Sequence, residues 1–358
     1  MTKNVPSQRS AALDYLRFFA VVYVFFNHYA ATFNFVYHIV PANDKYLWFS
    51  KYGSVAVVIL YMVSGYVVTL TSVNRGIKDF VISRIARLYP LFWISCIVAY
   101  IMPRLFYTNH SYLAEASLKT LVVNFTMIPY LLGSPMINPV FHTLMVEIVF
   151  YALIGVVIAL KLWNRILTLL FFVILLCLYG VFQPGMQPYL VFLPLSAGML
   201  FYMINANHPG KIKVYALLAL NFFCAIMTSK AQTDDLNTIY KGASISAPYV
   251  YPLIITAVYA VFLLISTGLI HIAAKRFSLM LATLTYPLYL FHIYFMCFYW
   301  YFRNNIQPDV LLFGILMISL LSSWLINIVV EKPLSTLANQ VLYTLSGLFK
   351  RNRANPAI

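Results

Sequence analysis

Apolar runs of about 20 residues recur along almost the whole chain, and this feature constrains the possible folds most strongly. A helix needs about 20 consecutive apolar residues to cross the hydrocarbon core of a bilayer. Hydrophobic residues make up 62% of the 358 positions and charged residues only 9%, whereas soluble domains carry roughly 25% charged residues. The sequence therefore predicts an all-α integral membrane protein. The ten predicted spans are 11–33, 53–72, 88–103, 140–160, 166–182, 188–204, 214–229, 251–271, 279–302 and 310–330.

One further apolar stretch, near 118–132, differs from these ten. It is short, contains Asn124 and Pro129, and runs directly into the turn that begins at Gly133. Segments of this length and composition are typical of interfacial or re-entrant pieces rather than of complete spans. We therefore expect a bundle of about ten transmembrane helices with one extra interfacial or re-entrant segment.

Basic residues are distributed unevenly between the two sides that these spans define. With the amino terminus in the cytoplasm, 17 of the 24 lysines and arginines fall on the cytoplasmic side. The positive-inside rule favours this orientation, which makes both termini cytoplasmic. Counting 118–132 as a span would move Lys161, Arg165 and the later basic loops outside. Because topology explains much of the net charge of +15, no nucleic-acid partner is expected.

The chain is expected to form one membrane domain, residues 1–340, followed by a basic cytoplasmic tail, residues 341–358. The four cysteines all lie in apolar runs, at spacings that match no metal or redox motif. We find neither a glycine-rich phosphate loop nor a Gly-x-Ser-x-Gly nucleophile motif. No metal site is therefore expected. Ser64 and Gly65, in the second span, indicate close helix packing.

Arg17 and His28 lie in the first span and are separated by eleven residues. On an α-helix this spacing returns to within about 20° of the same face, roughly 16 Å further along the axis. Ionisable groups are costly within hydrocarbon, so such residues are candidates for function. A snorkelling arginine and a core histidine bonded to a neighbouring helix form the structural alternative.

Arg84 and Arg87 form the densest basic feature, three residues apart where the third span begins. On a helix they would share one face at the cytoplasmic surface, where paired guanidinium groups suit phosphate binding. Anchoring of the helix by positive charge is the alternative interpretation.

Three further ionisable side chains fall inside or beside later spans. Glu147 lies about two turns into the fourth span, with Tyr151 one turn deeper on the same face. A carboxylate at that depth needs protonation, a cationic partner such as His28 or an arginine, or a helix-locking hydrogen bond. His142 begins that span, and His292 lies within a run of aromatic residues in the ninth, where it is either functional or a bonded core histidine.

Taken in order, these motifs resemble the membrane-bound acyltransferase-3 family, whose members O-acylate surface glycans and related acceptors. The matching features are Arg17 with His28; Ser64-Gly65-Tyr66; Arg84 with Arg87; the box from His142 through Glu147 to Tyr151; Tyr286 to His292; and Glu331-Lys332-Pro333. His142 stands where the family usually has Trp, and Ile148 replaces a frequent second Glu. The chain is similar to the single-domain branch, which lacks an extracytoplasmic esterase-like domain.

The resemblance implies a multi-pass enzyme of the cytoplasmic (inner) membrane with acetyl-CoA as donor and a glycan or lipid-linked sugar as acceptor. It implies that Arg84 and Arg87, assisted by Arg17, bind the CoA phosphates. His28 is then the general base or a transient acyl carrier, with Arg17 and Glu147 in the catalytic group. The expected substrate-binding residues are Tyr151, His292, Tyr289 and His142. A transporter or flippase of lipid-linked glycans is the alternative function, since buried ionisable groups and aromatics suit it too.

Overall fold

A computed structural model describes residues 10–36, 44–105, 116–183, 190–240, 245–273 and 275–354, and these residues form helices and connections without a strand. The helices are α1 (Ala11–Phe26), α2 (Leu47–Ser50), α3 (Ser54–Ser72), α4 (Ile77–Leu105), α5 (Leu118–Asn124), α6 (Phe141–Ala159), α7 (Ile166–Phe182), α8 (Phe192–Asn205), α9 (Lys211–Ile239), α10 (Val250–Ser266), α11 (Arg276–Phe291), α12 (Met296–Phe302), α13 (Pro308–Ile326) and α14 (Lys332–Ala354). The predicted all-α class is confirmed.

Seven helical segments in the described part of the chain are long and apolar enough to cross a membrane. They are Ser54–Ser72, Ile77–Leu105, Phe141–Ala159, Leu162–Phe182, Lys211–Ile239, Arg276–Phe302 and Pro308–Gly347. The apolar helices α8 and α10 are shorter, and α1 continues beyond Phe26 as a π-helix, Asn27–Val36. Helices thus occupy all ten predicted positions, whereas the number of spans and the side on which the termini lie remain predictions.

The stretch near 118–132 does not form a long helix. It consists of the seven-residue helix α5 and a four-residue 3-10 turn, Pro129–Leu132, which ends at Gly133 with a φ of 68°. Neither piece has the roughly 20 residues that a span requires. The short length of both pieces agrees with the prediction that this segment is not one of the ten spans.

Two helices extend beyond the predicted boundaries. The helix α4 begins at Ile77, well before the predicted span at 88–103, so Arg84 and Arg87 lie inside a continuous helix. The helix α14 runs through residue 340 to Ala354 without a break, so no structural boundary marks the start of the predicted tail. Near that point, the Tyr343 hydroxyl donates a hydrogen bond to Asp79 Oδ1 at 3.0 Å, which ties α14 to α4.

Reciprocal glycines allow the closest helix packing in the bundle, between α3 and α8. A Cβ on Gly65 would overlap the carbonyl of Leu195, and one on Gly198 would overlap the carbonyl of Met62. Small residues let membrane helices approach until their backbones touch, and van der Waals contact then replaces the hydrophobic effect as the driving force. The close-packing role predicted for Gly65 is therefore confirmed by its contacts.

The substitution Gly198→Val is expected to destabilise the protein, because the added side chain must separate α3 from α8. Overpacking of a tight core typically costs about 1–3 kcal/mol or more. Thermal unfolding in detergent measures the effect. Gly314→Ala is the matched control, since no atom lies within 4 Å of a Cβ built at this helical position. An unchanged melting temperature for Gly198→Val would contradict the observed interlock.

The helix α1 lies between α3 and α11 and packs on both. Vestibule-lining residues lie near the start of α1, the end of α3, the end of α8 and the start of α11. We call this end of the bundle the basic end, because Lys78 and Arg276 lie on the first turns of helices that start there, Arg75 directly precedes α4, and Arg17 lies on the second turn of α1. The helix α6 also reaches it, as Gly155 approaches Ile77 at the start of α4.

Candidate functional site

A wide vestibule opens into the bundle at the basic end. It has a volume of about 1490 Å³, and α1, α3, α4, α8, α10, α11 and α14 contribute to its wall. Its polar lining includes Asp14, Arg17, Arg87, Asn327 and Glu331. The Asn327 amide donates a hydrogen bond to Glu331 at 2.8 Å, within a second π-helical segment, Asn327–Glu331. The family-like Glu331 therefore lies at the entrance to the bundle.

A narrower inner cavity of about 70 Å³ lies deeper between α1, α3, α4, α6 and α11. Four residues line both spaces, so the two cavities adjoin: Arg17, Val63, Val67 and Arg87. The inner cavity also receives Arg84, Glu147, Tyr151 and Tyr289. The structure thus brings together six of the residues that the sequence singled out, from four different helices.

Three arginines form a cluster of positive charge around the boundary between the cavities. Arg84 is buried, donates a hydrogen bond to Thr71 Oγ1, and lies over the rings of Phe80 and Tyr151 at 5.2 and 5.1 Å. Within the described part of the chain, no carboxylate lies within 4.0 Å of the guanidinium nitrogens of Arg17, Arg84 or Arg87. Arg84 is buried and Arg17 and Arg87 are half-buried, and Glu147 lines the same cavity. Three guanidinium groups against this one carboxylate leave an excess of positive charge, which favours an anionic ligand.

Glu147 is held by hydroxyl groups rather than by a cation. Its Oε1 accepts a hydrogen bond from Ser64 Oγ at 2.9 Å and another from the Tyr151 hydroxyl. Tyr151 in turn packs against Arg84, so the carboxylate orders the aromatic wall on which a guanidinium rests. The hydrogen-bonded interpretation of Glu147 is the one observed, and His28 is not its partner.

His28 instead pairs with His292. His28 Nδ1 lies 2.8 Å from His292 Nε2, and the two rings are nearly parallel, at 10°. His292 Nδ1 lies 3.0 and 2.9 Å from the carbonyl oxygens of Leu288 and Tyr289. Carbonyl oxygens only accept, so the His292 proton resides on Nδ1 and its Nε2 is an acceptor. His28 must then donate from Nδ1, which assigns the lone pair of neutral His28 to Nε2.

Neighbouring contacts hold this pair in place. Asn27 Nδ2 donates to the carbonyl of Ser50 at 2.8 Å, and the Tyr29 hydroxyl donates to the carbonyl of His292 at 2.7 Å. Asn27 also fills the space beside Gly53, where a Cβ would overlap it. His28 is the second residue of the π-helical segment, a local geometry that is frequent at functional sites.

The histidine pair lies beyond the end of the inner cavity that is remote from the arginines. Tyr289 lines that end, with its hydroxyl 2.6 Å from Thr143 Oγ1, and His292 follows three residues later, about 4.5 Å further along a helix. Arg17 lines both cavities and His28 pairs with His292 directly after α11, so both side chains point into the bundle. His142 is exposed at the start of α6, and neither His142 nor the histidine pair lines either cavity. The roles of these three residues in binding and catalysis therefore stay predictions.

Tyr61 was missed by the sequence analysis although it lines the inner cavity. It stands three residues before Ser64, and the helical series Val57, Tyr61, Ser64 and Val68 places all four on one face of α3. All four line the cavity. Extending the helical face from Ser64 would have identified Tyr61 without the structure.

Comparison with known proteins identifies the family. The family model described as an acyltransferase domain, the acyltransferase-3 model, matches residues 10–328, nearly the whole chain. Comparisons with curated proteins and with solved structures returned no match. The matched region contains the three arginines that line the cavities, together with Glu147 and the histidine pair. The chain therefore belongs to the acyltransferase-3 family and is a membrane acyltransferase.

Proposed function

We propose that the protein is an O-acyltransferase that moves an acetyl group from acetyl-CoA to a hydroxyl group of a surface glycan or lipid-linked sugar. The observation that supports this most directly is the arginine cluster of Arg17, Arg84 and Arg87. It lies in a cavity that leads from an open vestibule toward a hydrogen-bonded histidine pair. The site thus combines anion binding with a candidate base.

The donor would enter from the basic end. The charge distribution predicts that this end is cytoplasmic, where CoA thioesters are made. The wide vestibule has room for the nucleotide portion, while the arginines would form charge-assisted hydrogen bonds with phosphate oxygens. The pantetheine arm would then extend along the narrower inner cavity, which has a volume of about 70 Å³ and would have to widen to admit it. The thioester would lie on the histidine side of the arginines.

His28 is proposed as the general base. An acceptor hydroxyl oxygen attacks the thioester carbonyl carbon while its proton passes to the lone pair of His28 Nε2. The carbonyl π electrons move to the oxygen, and the tetrahedral intermediate then collapses. The carbon–sulfur bond breaks, and the departing CoA sulfur takes the proton back from His28. The products are an ester and free CoA, so atoms and charge balance.

The acceptor would approach from the end opposite the arginines. The histidine pair lies on that side of the inner cavity, among Phe25, Tyr29 and Phe33. Aromatic faces and tyrosine hydroxyls are suited to the apolar faces and hydroxyl groups of sugars. Mass spectrometry of surface glycans from cells with and without the protein tests this assignment, with loss of ester groups as the expected result.

Replacing both Arg84 and Arg87 by Ala is expected to weaken CoA binding by at least about 10-fold per lost charge-assisted contact. Calorimetric titration of the purified protein with CoA measures the change. Because Arg84 is buried, Arg87→Ala alone serves as a second variant that disturbs packing less. Arg75→Ala is the matched control, since Arg75 is exposed at the basic end and lines neither cavity. Equal CoA affinity in the wild-type protein and in all these variants would show that Arg84 and Arg87 do not bind CoA. Their positive charge would then serve only to anchor the helix.

The same preparations separate an acyltransferase from a transporter. Proteoliposomes are supplied with acetyl-CoA and a glycolipid extract, and both free CoA and ester formation are followed. An acyltransferase produces both in equal amounts. Movement of a glycolipid between leaflets with neither product would contradict the proposed reaction and favour the transporter alternative.

A further inference from the structure

Two buried hydrogen-bond donors in the inner cavity have no partner among the described residues. They are the Tyr61 hydroxyl and Arg84 Nε. Tyr61 is only 6% exposed, so its hydroxyl is withdrawn from bulk solvent. Unsatisfied polar groups are rare in protein interiors because burial costs the hydrogen bonds that water supplied. Of the seven such atoms among the described residues, these two belong to residues that line the inner cavity, which points to a bound group as their partner.

The place of Tyr61 along the cavity separates its role from that of the arginines. On α3, Tyr61 lies almost one turn beyond Ser64 on the side away from the basic end, whereas Val67 borders the vestibule. Across the cavity at a similar depth are Thr143 and Tyr289. Along the cavity, Tyr61 therefore lies between the arginine cluster and the histidine pair.

The other hydroxyl groups at this depth are already engaged. Tyr289 and Thr143 bond to each other at 2.6 Å, and Tyr286 donates to the carbonyl of Leu88 at 2.7 Å. Ser64 and Tyr151 both bond to Glu147. Tyr61 is thus the hydroxyl group of the cavity wall whose hydrogen is not committed within the described part of the chain.

We propose that Tyr61 is a catalytic residue that donates a hydrogen bond to the carbonyl oxygen of the acyl thioester. This proposal rests on the proposed acetyl transfer. When the acceptor oxygen attacks the carbonyl carbon, two electrons of the C=O bond move to the oxygen, and the Tyr61 O–H stabilises that oxyanion. Tyr61 keeps its proton throughout, and the C=O bond re-forms as the carbon–sulfur bond breaks.

The substitution Tyr61→Phe tests the role with little disturbance, because the deleted hydroxyl makes no hydrogen bond to any residue that the structure describes. We expect an unchanged or slightly higher melting temperature and a fall in kcat of about 100-fold, the usual result of removing one oxyanion donor. Tyr259→Phe is the matched control. The Tyr259 hydroxyl donates to Asn221 Oδ1 at 2.6 Å away from both cavities. That variant should lose stability and keep its kcat.

Binding of three donor analogues provides a second readout. Acetyl-CoA has a carbonyl group next to sulfur, S-ethyl-CoA has a methylene group in place of that carbonyl, and CoA has no acyl group. Tyr61→Phe should raise the Kd of acetyl-CoA about two- to tenfold and leave the other two Kd values unchanged. Equal loss of affinity for all three would indicate a general packing role and overturn the proposal.

The outcomes also distinguish this inference from the proposed function. If the wild-type protein binds no CoA compound and transfers no acetyl group, the proposed function fails. If the wild-type protein is active and Tyr61→Phe keeps both its kcat and its affinity for acetyl-CoA, the role of Tyr61 alone is wrong. In that case a water molecule satisfies the hydroxyl.

Discussion

His28→Ala is expected to fold and to bind CoA normally, while acetyl transfer falls by about 10²–10⁴-fold, the range that a general base contributes. His28 packs against Phe33 and His292 beyond the end of the inner cavity that is remote from the arginines, and it lines neither cavity. Removing the imidazole therefore leaves the proposed phosphate contacts intact. The kcat of acetyl transfer and the Kd of CoA, measured on the same preparation, separate the two effects.

His208→Ala is the control for this substitution, because His208 lies in the connection between α8 and α9 and lines neither cavity. It should retain its kcat. Unchanged turnover in a well-folded His28→Ala protein would remove His28 from the mechanism. Rapid-quench measurement with radiolabelled acetyl-CoA and no acceptor distinguishes the two roles of His28. A stoichiometric acetyl-enzyme that is absent from His28→Ala would identify an acyl carrier rather than a base.

His292→Leu is expected to lower kcat by about 100-fold while the KM for acetyl-CoA changes little. The hydrogen bond of 2.8 Å from His28 to His292 fixes both the orientation of the His28 ring and the nitrogen that carries its lone pair. Misplacement of a reacting group by about 1 Å alone can cost about 100-fold in rate. The KM for acetyl-CoA should change little because the residues proposed to bind the donor phosphates lie at the opposite end of the inner cavity. Steady-state kinetics with varied acetyl-CoA measure both constants.

His292→Gln should restore much of the activity lost in His292→Leu. The glutamine carbonyl oxygen can accept the proton of His28 Nδ1, and the amide can donate toward the carbonyl of Tyr289 in place of the His292 ring. A purely structural role would be rescued poorly by glutamine and would appear as a loss of thermal stability in both variants. Equal kcat values for His292→Leu and His292→Gln would show that the hydrogen bond does not orient His28.

Several parts of the candidate site could be predicted from the sequence because they depend on positions within one helix. The spacing of Arg17 and His28 predicts a shared face, and in the structure both side chains point into the bundle, Arg17 into the cavities and His28 toward His292. The spacing of Arg84 and Arg87 likewise predicts a pair near the start of a helix, and both line the cavity system. Helical periodicity carries this information, since residues three, four or eleven apart recur on the same side.

The sequence by itself determined that this chain is a multi-pass helical membrane protein, because long apolar runs leave the backbone few alternatives in a bilayer. It also determined which ionisable side chains share a helix face. Only the tertiary structure decided the partners: His28 with His292, 264 residues apart in sequence, and Glu147 with Ser64 rather than with a cation. The tertiary structure also decided that the Tyr61 hydroxyl has no hydrogen-bond partner among the described residues. Such pairings depend on which helices pack against each other and at what distance, as α3 and α8 do at Gly65 and Gly198. The periodicity of residues within one helix does not determine its packing partners.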